Sequence, residues 1–206
     1  MLYRFLFATY VCLLQLLCVS SEGISHSSHL MLIAAEKGDT KTVVDYITVT
    51  GVPINVKNNY GVSAILFAAN NGHLNLLEAL VDIGANIEDR SNNWKTPLNW
   101  AATWGHFPCV KYLVGAGANI STYDAKGVTP LMAATQKGDV EIVQFLLDQG
   151  ADPLTKNIFN GTALSIARVK NDTQLISILE PYYPEEEETS PYVIAFHLLK
   201  AELIKL

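Results

Sequence analysis

Between residues 91 and 120 the apolar positions fall into two short helical runs, each closed by a glycine. Leu98, Ala101 and Ala102 recur at the spacing of one helix face. Thr96-Pro97 stands before them: Thr caps free backbone N–H groups, and Pro fits a first helical turn. Gly105 ends this run, as glycine does where φ > 0 is needed. Pro108 opens a second run with Cys109, Val110, Leu113 and Val114 on its apolar side, and Gly117 stops it. Asn119-Ile120 then lead through an extended segment to the next turn. The pattern predicts two antiparallel helices and a projecting turn. Such a unit cannot bury its apolar face alone and must stack on copies of itself.

Copies are present. TPLNWAATWGH begins at residue 96 and TPLMAATQKG at residue 129, an offset of 33. The glycine closing this phrase recurs as Gly38, Gly72, Gly105 and Gly138, with Asn171 in the fifth place. A second series keeps the same period: Gly51-Val52, Gly84-Ala85, Gly117-Ala118 and Gly150-Ala151. Two interleaved series at one period mark a solenoid.

A period of 33 with a Thr-Pro-Leu-x-x-Ala phrase resembles the ankyrin repeat. The resemblance implies an all-α ankyrin-repeat solenoid of about five helix-turn-helix units with β-turn or hairpin tips. It divides residues 22–181 into units at about 28–57, 58–90, 91–123, 124–156 and 157–181. Units three and four match best. Units two and five carry Ala64 and Ala163 where the motif has Pro. The motif's His is replaced by Leu66, Asn99, Met132 and Ser165, which leaves the local turn geometry open. Unit one lacks the preceding turn, as an N-terminal cap would.

The ends read differently. Arg4 is the only charge in the first 21 residues, and an apolar run extends from Phe5 to Val19. Residues 1–21 read as a secretory signal peptide cleaved near Ser20 or Ser21, with an uncleaved membrane anchor as the alternative. The protein is then exported, periplasmic or secreted. Residues 182–191 are rich in proline and contain four consecutive glutamates, the composition of an acidic linker. Residues 192–206 form a helical pattern with Phe196, Leu199, Leu203 and Leu206 on one side. That helix either docks back onto the last unit, binds a partner, or lies on a membrane surface.

Charge and cysteine narrow the chemistry. Net charge is −6, or −7 once Arg4 leaves with the signal. No basic run occurs in the sequence, which disfavours nucleic acid as a partner. Cys12 and Cys18 leave with the signal, so Cys109 has no intrachain disulfide partner and reads as a buried thiol. His73 and His106 match the family's structural Gly-His pair. His26 and His29 have no carboxylate or thiol at metal-ligand spacing. Asp82, Asp89, Asp124 and Asp148 fall at positions that favour turns or solvent. No phosphate loop or dinucleotide turn is present. The expectation is a non-enzymatic chain without cofactor or metal, binding a protein rather than a nucleic acid, a small-molecule substrate or a membrane: a periplasmic or extracellular adaptor or inhibitor, with a secreted effector acting on or in another cell as the alternative.

The resemblance also says where a partner would bind: the concave side made by turn tips and first helices. Carried over residue by residue, the positions are Tyr60, Asn70 and Asn71 in unit two. Unit three supplies Trp94, Lys95, Thr103 and Trp104, and the later tips add Lys126 and Phe159. The turn-tip glycine is present as Gly61 and Gly127, but unit three has Trp94 and unit five Asn160. Asn tolerates φ > 0 and Trp does so poorly. Trp94 therefore implies either a distorted turn or an exposed ring, and it could also fold down onto its neighbours. Trp100, at a core position of the first helix, reads as packing.

Overall fold

The computed structural model describes residues 21–183. Among them lie ten α-helices and no strand. The expected signal segment before Ser21 and the residues after Tyr183, with the expected C-terminal helix, lie outside the described part. The helices pair in order. Unit one holds α1 (Ser21–Lys37) and α2 (Thr40–Thr48); unit two holds α3 (Ala64–Asn71) and α4 (Leu74–Asp82). Unit three holds α5 (Pro97–Trp104) and α6 (Phe107–Gly115); unit four holds α7 (Pro130–Lys137) and α8 (Val140–Asp148). Unit five holds α9 (Ala163–Val169) and α10 (Thr173–Leu179), then a short 3₁₀ turn over Glu180–Tyr182.

The caps are those the phrase predicts. Thr96 and Thr129 accept from the amides of Asn99 and Met132, each at 3.3 Å, and proline occupies the first turn of both helices. In unit five Thr162 and Ser165 form a reciprocal capping box, so Ser165 takes a structural role at the position of the missing His. Asn99 takes another. Buried, it donates from Nδ2 to the Val128 carbonyl of the next turn at 3.2 Å. Leu66 and Met132 simply fill the core at the same place. The loss of the motif His therefore leaves the turns intact.

First helices form one row and second helices another, and the first row packs more closely. Its contact residues explain this. Ala68, Ala69, Ala101, Ala102, Ala134 and Ala167 are fully buried, and a methyl side chain lets helix axes approach. The second row meets through larger groups, including an edge-to-face pair of Phe107 and Phe145 with centroids 5.5 Å apart. Close packing on one row and looser packing on the other curves the stack toward the first helices. Of the apolar positions read from unit three, Leu98, Cys109, Val110 and Leu113 are buried; Val114 is only half-buried.

The loop after each first helix ties units together. Gly72 and Gly105 have φ of +73° and +82°. The His106 ring lies against Gly72, where a Cβ would come within 2.6 Å of Nδ1. The Nε2 atoms of His73 and His106 hydrogen-bond the preceding unit's carbonyls of Glu36 (2.9 Å) and Asn70 (3.0 Å). Units four and five place Asp139 and Asp172 there instead, and these cap their own second helices. In unit five Lys170 reaches the equivalent carbonyl, Gln136, at 2.7 Å.

Three boundaries and roles differ from the sequence reading. Helix α1 starts at Ser21, ahead of the expected start of unit one at residue 28. Tyr182 and Tyr183 belong to the closing turn rather than to a solvated linker. The Tyr183 hydroxyl donates to the Pro153 carbonyl and accepts from the Leu164 amide, and Arg168 pairs with Glu180 at 3.0 Å. Asp89 and Asp124 are buried rather than solvent-facing. Asp89 accepts from the Ser63 hydroxyl of its own unit and pairs with the Lys57 ammonium of the preceding unit. Ser63 consequently makes no cap bond to its own helix.

Candidate protein-binding face

Each turn between units is closed by two backbone bonds, in unit two Asn58 N–H to Val62 O at 3.0 Å and Gly61 N–H to Asn58 O at 2.9 Å. The first residue of the turn then clamps it. Asn58 Oδ1 accepts from the amides of Tyr60 and Val62, both at 2.9 Å. Asp124 Oδ1 holds Lys126 and Val128, and Asn157 Oδ1 holds Phe159 and Gly161. Successive tips are joined by one backbone bond each: Asn92 N–H to Tyr60 O, Ala125 N–H to Asn93 O, and Ile158 N–H to Lys126 O, at 3.0–3.1 Å; Asn92 Nδ2 adds a bond to the Asn59 carbonyl. The tips therefore form a continuous ledge beside the first helices.

Unit three departs from this scheme twice. Its clamp residue is Ser91, whose side chain is too short; the buried Oγ has no hydrogen-bond partner among the described residues. Its tip glycine is replaced by Trp94, which sits at φ +62°. The turn keeps the common geometry, with Trp94 N–H bonded to Ser91 O at 2.8 Å as Gly127 N–H is to Asp124 O. The expected distortion is thus absent, and the cost is carried by the left-handed backbone of a bulky residue, of order 1–2 kcal/mol. Nor does the ring fold down onto its neighbours: Trp94 is 55% exposed, with the Arg90 guanidinium 5.6 Å from its centroid.

The other carried-over positions divide. Tyr60 (76%), Phe159 (74%) and Trp104 (49%) are exposed on tips or at the end of a first helix. Lys126 is also exposed. Lys95 is partly buried; its ammonium lies 4.5 Å from the Trp100 ring and 3.3 Å from Thr103 Oγ1. Burial lowers the Lys95 pKa; Asp124 opposes this and Lys126 adds to it. Trp100 is half-buried against the core, as a packing residue would be. Asn70 and Asn71 are engaged within the fold: Asn70 Nδ2 donates to Asn71 Oδ1, and Asn71 Nδ2 donates to the Glu36 carbonyl. Thr103 likewise donates to the Asn99 carbonyl. These three serve the stack before they serve a partner.

Tyr123 and Arg90 are the residues the sequence reading passed over. They share one repeat position with Lys57 and Lys156, just before the turn, and Tyr123 is the one aromatic in that register. It is exposed, as are Ile158 and Val169 of unit five. The 33-residue register alone would have flagged it.

Among the described residues, no group of three or more His, Cys, Asp or Glu side chains is placed to hold a metal ion. No described helix is long and apolar enough to cross a membrane. Cys109 is buried in α6, and burial, reinforced by Glu78, raises its thiol pKa from 9.0 to about 11. The tips and first helices offer exposed aromatic rings with lysine and arginine cations, which is recognition chemistry.

The family model of ankyrin repeats (3 copies) matches residues 30–124, 95–157 and 113–186. No curated protein matches the chain. The matched segments run through all five helix pairs and through the tips just described. The chain belongs to the ankyrin-repeat family, whose stacks are protein–protein interaction modules.

Proposed function

We propose that this chain is an exported, non-enzymatic adaptor or inhibitor that holds a protein partner on its tips and first helices. The observation that carries the reading is Trp94. A tryptophan at a left-handed tip position costs stability, and its ring stays exposed. Strain kept at an exposed position is characteristic of a functional surface. Trp104, Tyr60 and Phe159 place further exposed rings on the same side, and aromatic residues dominate binding hot spots. Export rests on the apolar run from Phe5 to Val19 behind a single arginine.

Two measurements test this. The intact mass of the exported protein should show a species lacking residues 1–20; a mature chain that keeps them points to an anchor. Affinity capture should compare the parent with a W94A/W104A bait and with an E78K/D82K bait altered on outer helix α4. Proteins held by the parent and by the α4 variant, but lost from the tryptophan variant, support the reading. Identical capture by all three baits overturns it.

A further inference from the structure

The cations of this acidic protein share one side of the stack. The tips carry Lys57, Arg90, Lys95, Lys126 and Lys156. The first helices of units two to five and the residues that close them add Lys137, Arg168 and Lys170. Within these segments the one acid is Asp124, buried with its Oδ1 occupied by two amides, while two of the cations are already paired with acids just outside them, Lys57 with buried Asp89 and Arg168 with Glu180. The outer helices are the reverse. They hold Asp45, Glu78, Asp82, Glu141 and Asp148 against Lys41 and Lys111. These cations come from separate units, and one of them, Arg90, lies 5.6 Å from the exposed Trp94 ring.

The chain itself contains the complementary segment. Glu185 to Glu188 supply four negative charges, and residues 192–206 carry an apolar stripe of Phe196, Leu199, Leu203 and Leu206. The point of departure is favourable. Tyr183 is bonded to Pro153, just before the unit-five tip, and to Leu164 at the start of α9. Tyr183 thus ends the described chain just after outer helix α10, with its hydroxyl turned toward the loop that precedes the unit-five tip. The length of the tail suffices. Unit three lies two helix spacings away, about 20 Å. The eight residues 184–191 span up to about 27 Å when extended. Residues 192–206 as a helix would cover about 22 Å, the width of three first helices.

We infer that residues 184–206 of this chain occupy the basic, aromatic side of the stack, with Glu185–Glu188 over the tip cations and the apolar stripe against Trp94 and Trp104. Tethering gives the tail an effective concentration of about 1 mM, so a weak contact is enough to hold it. An external partner would have to displace it. The inference stands apart from the proposed function, because it is tested on the chain alone.

All three tryptophans lie in unit three, so intrinsic fluorescence reports this side. The experiment measures emission maximum and acrylamide quenching for the full mature chain, for E185Q/E186Q/E187Q/E188Q and for L199S/L203S. Far-UV circular dichroism and melting confirm that each repeat stack is folded. Both variants, and the parent in molar salt, should show red-shifted emission and stronger quenching than the parent at low salt. Equal quenching of the parent and both folded variants overturns the inference. Protection of the parent that disappears on dilution also overturns it, because the occupant is then a second copy.

Discussion

Replacing Ser91 by Asn should stabilise the protein. Every other tip turn is clamped by an Asn or Asp whose Oδ1 accepts two amides at 2.8–3.0 Å. Ser91 makes neither bond, and its buried Oγ has no partner among the described residues. Asn at 91 would reach the corresponding amides, those of Asn93 and Lys95. Two net hydrogen bonds contribute about 0.5–1.5 kcal/mol each, and ordering one side chain opposes them by about 0.5–1 kcal/mol. The expected gain is about 1–2 kcal/mol, or about 2–8 °C in Tm for a domain of this size. Ser91→Ala is the control. It removes the orphaned hydroxyl without adding a bond and should stay within about 0.5 kcal/mol of the parent. Guanidinium unfolding followed by circular dichroism reads both variants, with a shifted midpoint at unchanged slope taken as stability. If Ser91→Asn unfolds with Ser91→Ala, the clamp does not stabilise these turns and the physical account of the tips is wrong.

Leu113→Ala empties a fully buried position in α6 and should cost about 2–5 kcal/mol; a melt matching the parent would refute the helix pairing. Gly72→Ala sets a Cβ at φ +73° against the His106 ring and should destabilise by about 1–3 kcal/mol, whereas Gly51→Ala, with open space around it, should cost only its backbone strain. Thermal melts of the two compare crowding plus strain with strain alone. Cys109 should react with a thiol dye only after unfolding, since its pKa is raised to about 11 and the side chain is buried. The sign for stability follows: the folded thiol stays neutral to higher pH than the unfolded one, so this contribution is complete below about pH 9 and is lost as pH rises toward about 11, which denaturant midpoints across that window would show. Cys109→Ser should be less stable than Cys109→Ala, because it buries a hydroxyl; the reverse order in melting would place position 109 outside the core.

The period, the caps and the apolar core were legible because each is a local matter repeated five times. Thr96-Pro97 and Gly105 announce their helix within ten residues, and the 33-residue register carries that reading to the weaker units. The left-handed position of Trp94 was legible for the same reason, since Gly61 and Gly127 stand in its place. What the sequence hid depends on contacts between units. Asp89 reads as a turn residue until Lys57 of the preceding unit and Ser63, ahead of α3, are brought against it. Asn70 and Asn71 read as free concave positions until the Glu36 carbonyl is seen to engage Asn71. The basic side was invisible because its cations come from separate repeats and never form a run. Helix α1 starts early although Ser-rich residues 21–28 carry no helix signal. Stacking on α3 accounts for its buried face at Met31 and Ala35 but not for the upstream turns.

The proposed partner-binding surface is made of the tips and first helices around unit three. The measurement that tests it most directly is calorimetric titration of a captured partner into the parent, W94A/W104A and W100A, with a melting curve for each. The double variant should stay folded and lose about 1–4 kcal/mol of binding per truncated ring. W100A should lower the melting temperature while its folded form keeps affinity, because Trp100 packs against the core. Full affinity in a folded W94A/W104A protein would contradict the account and move the binding surface to the outer helices.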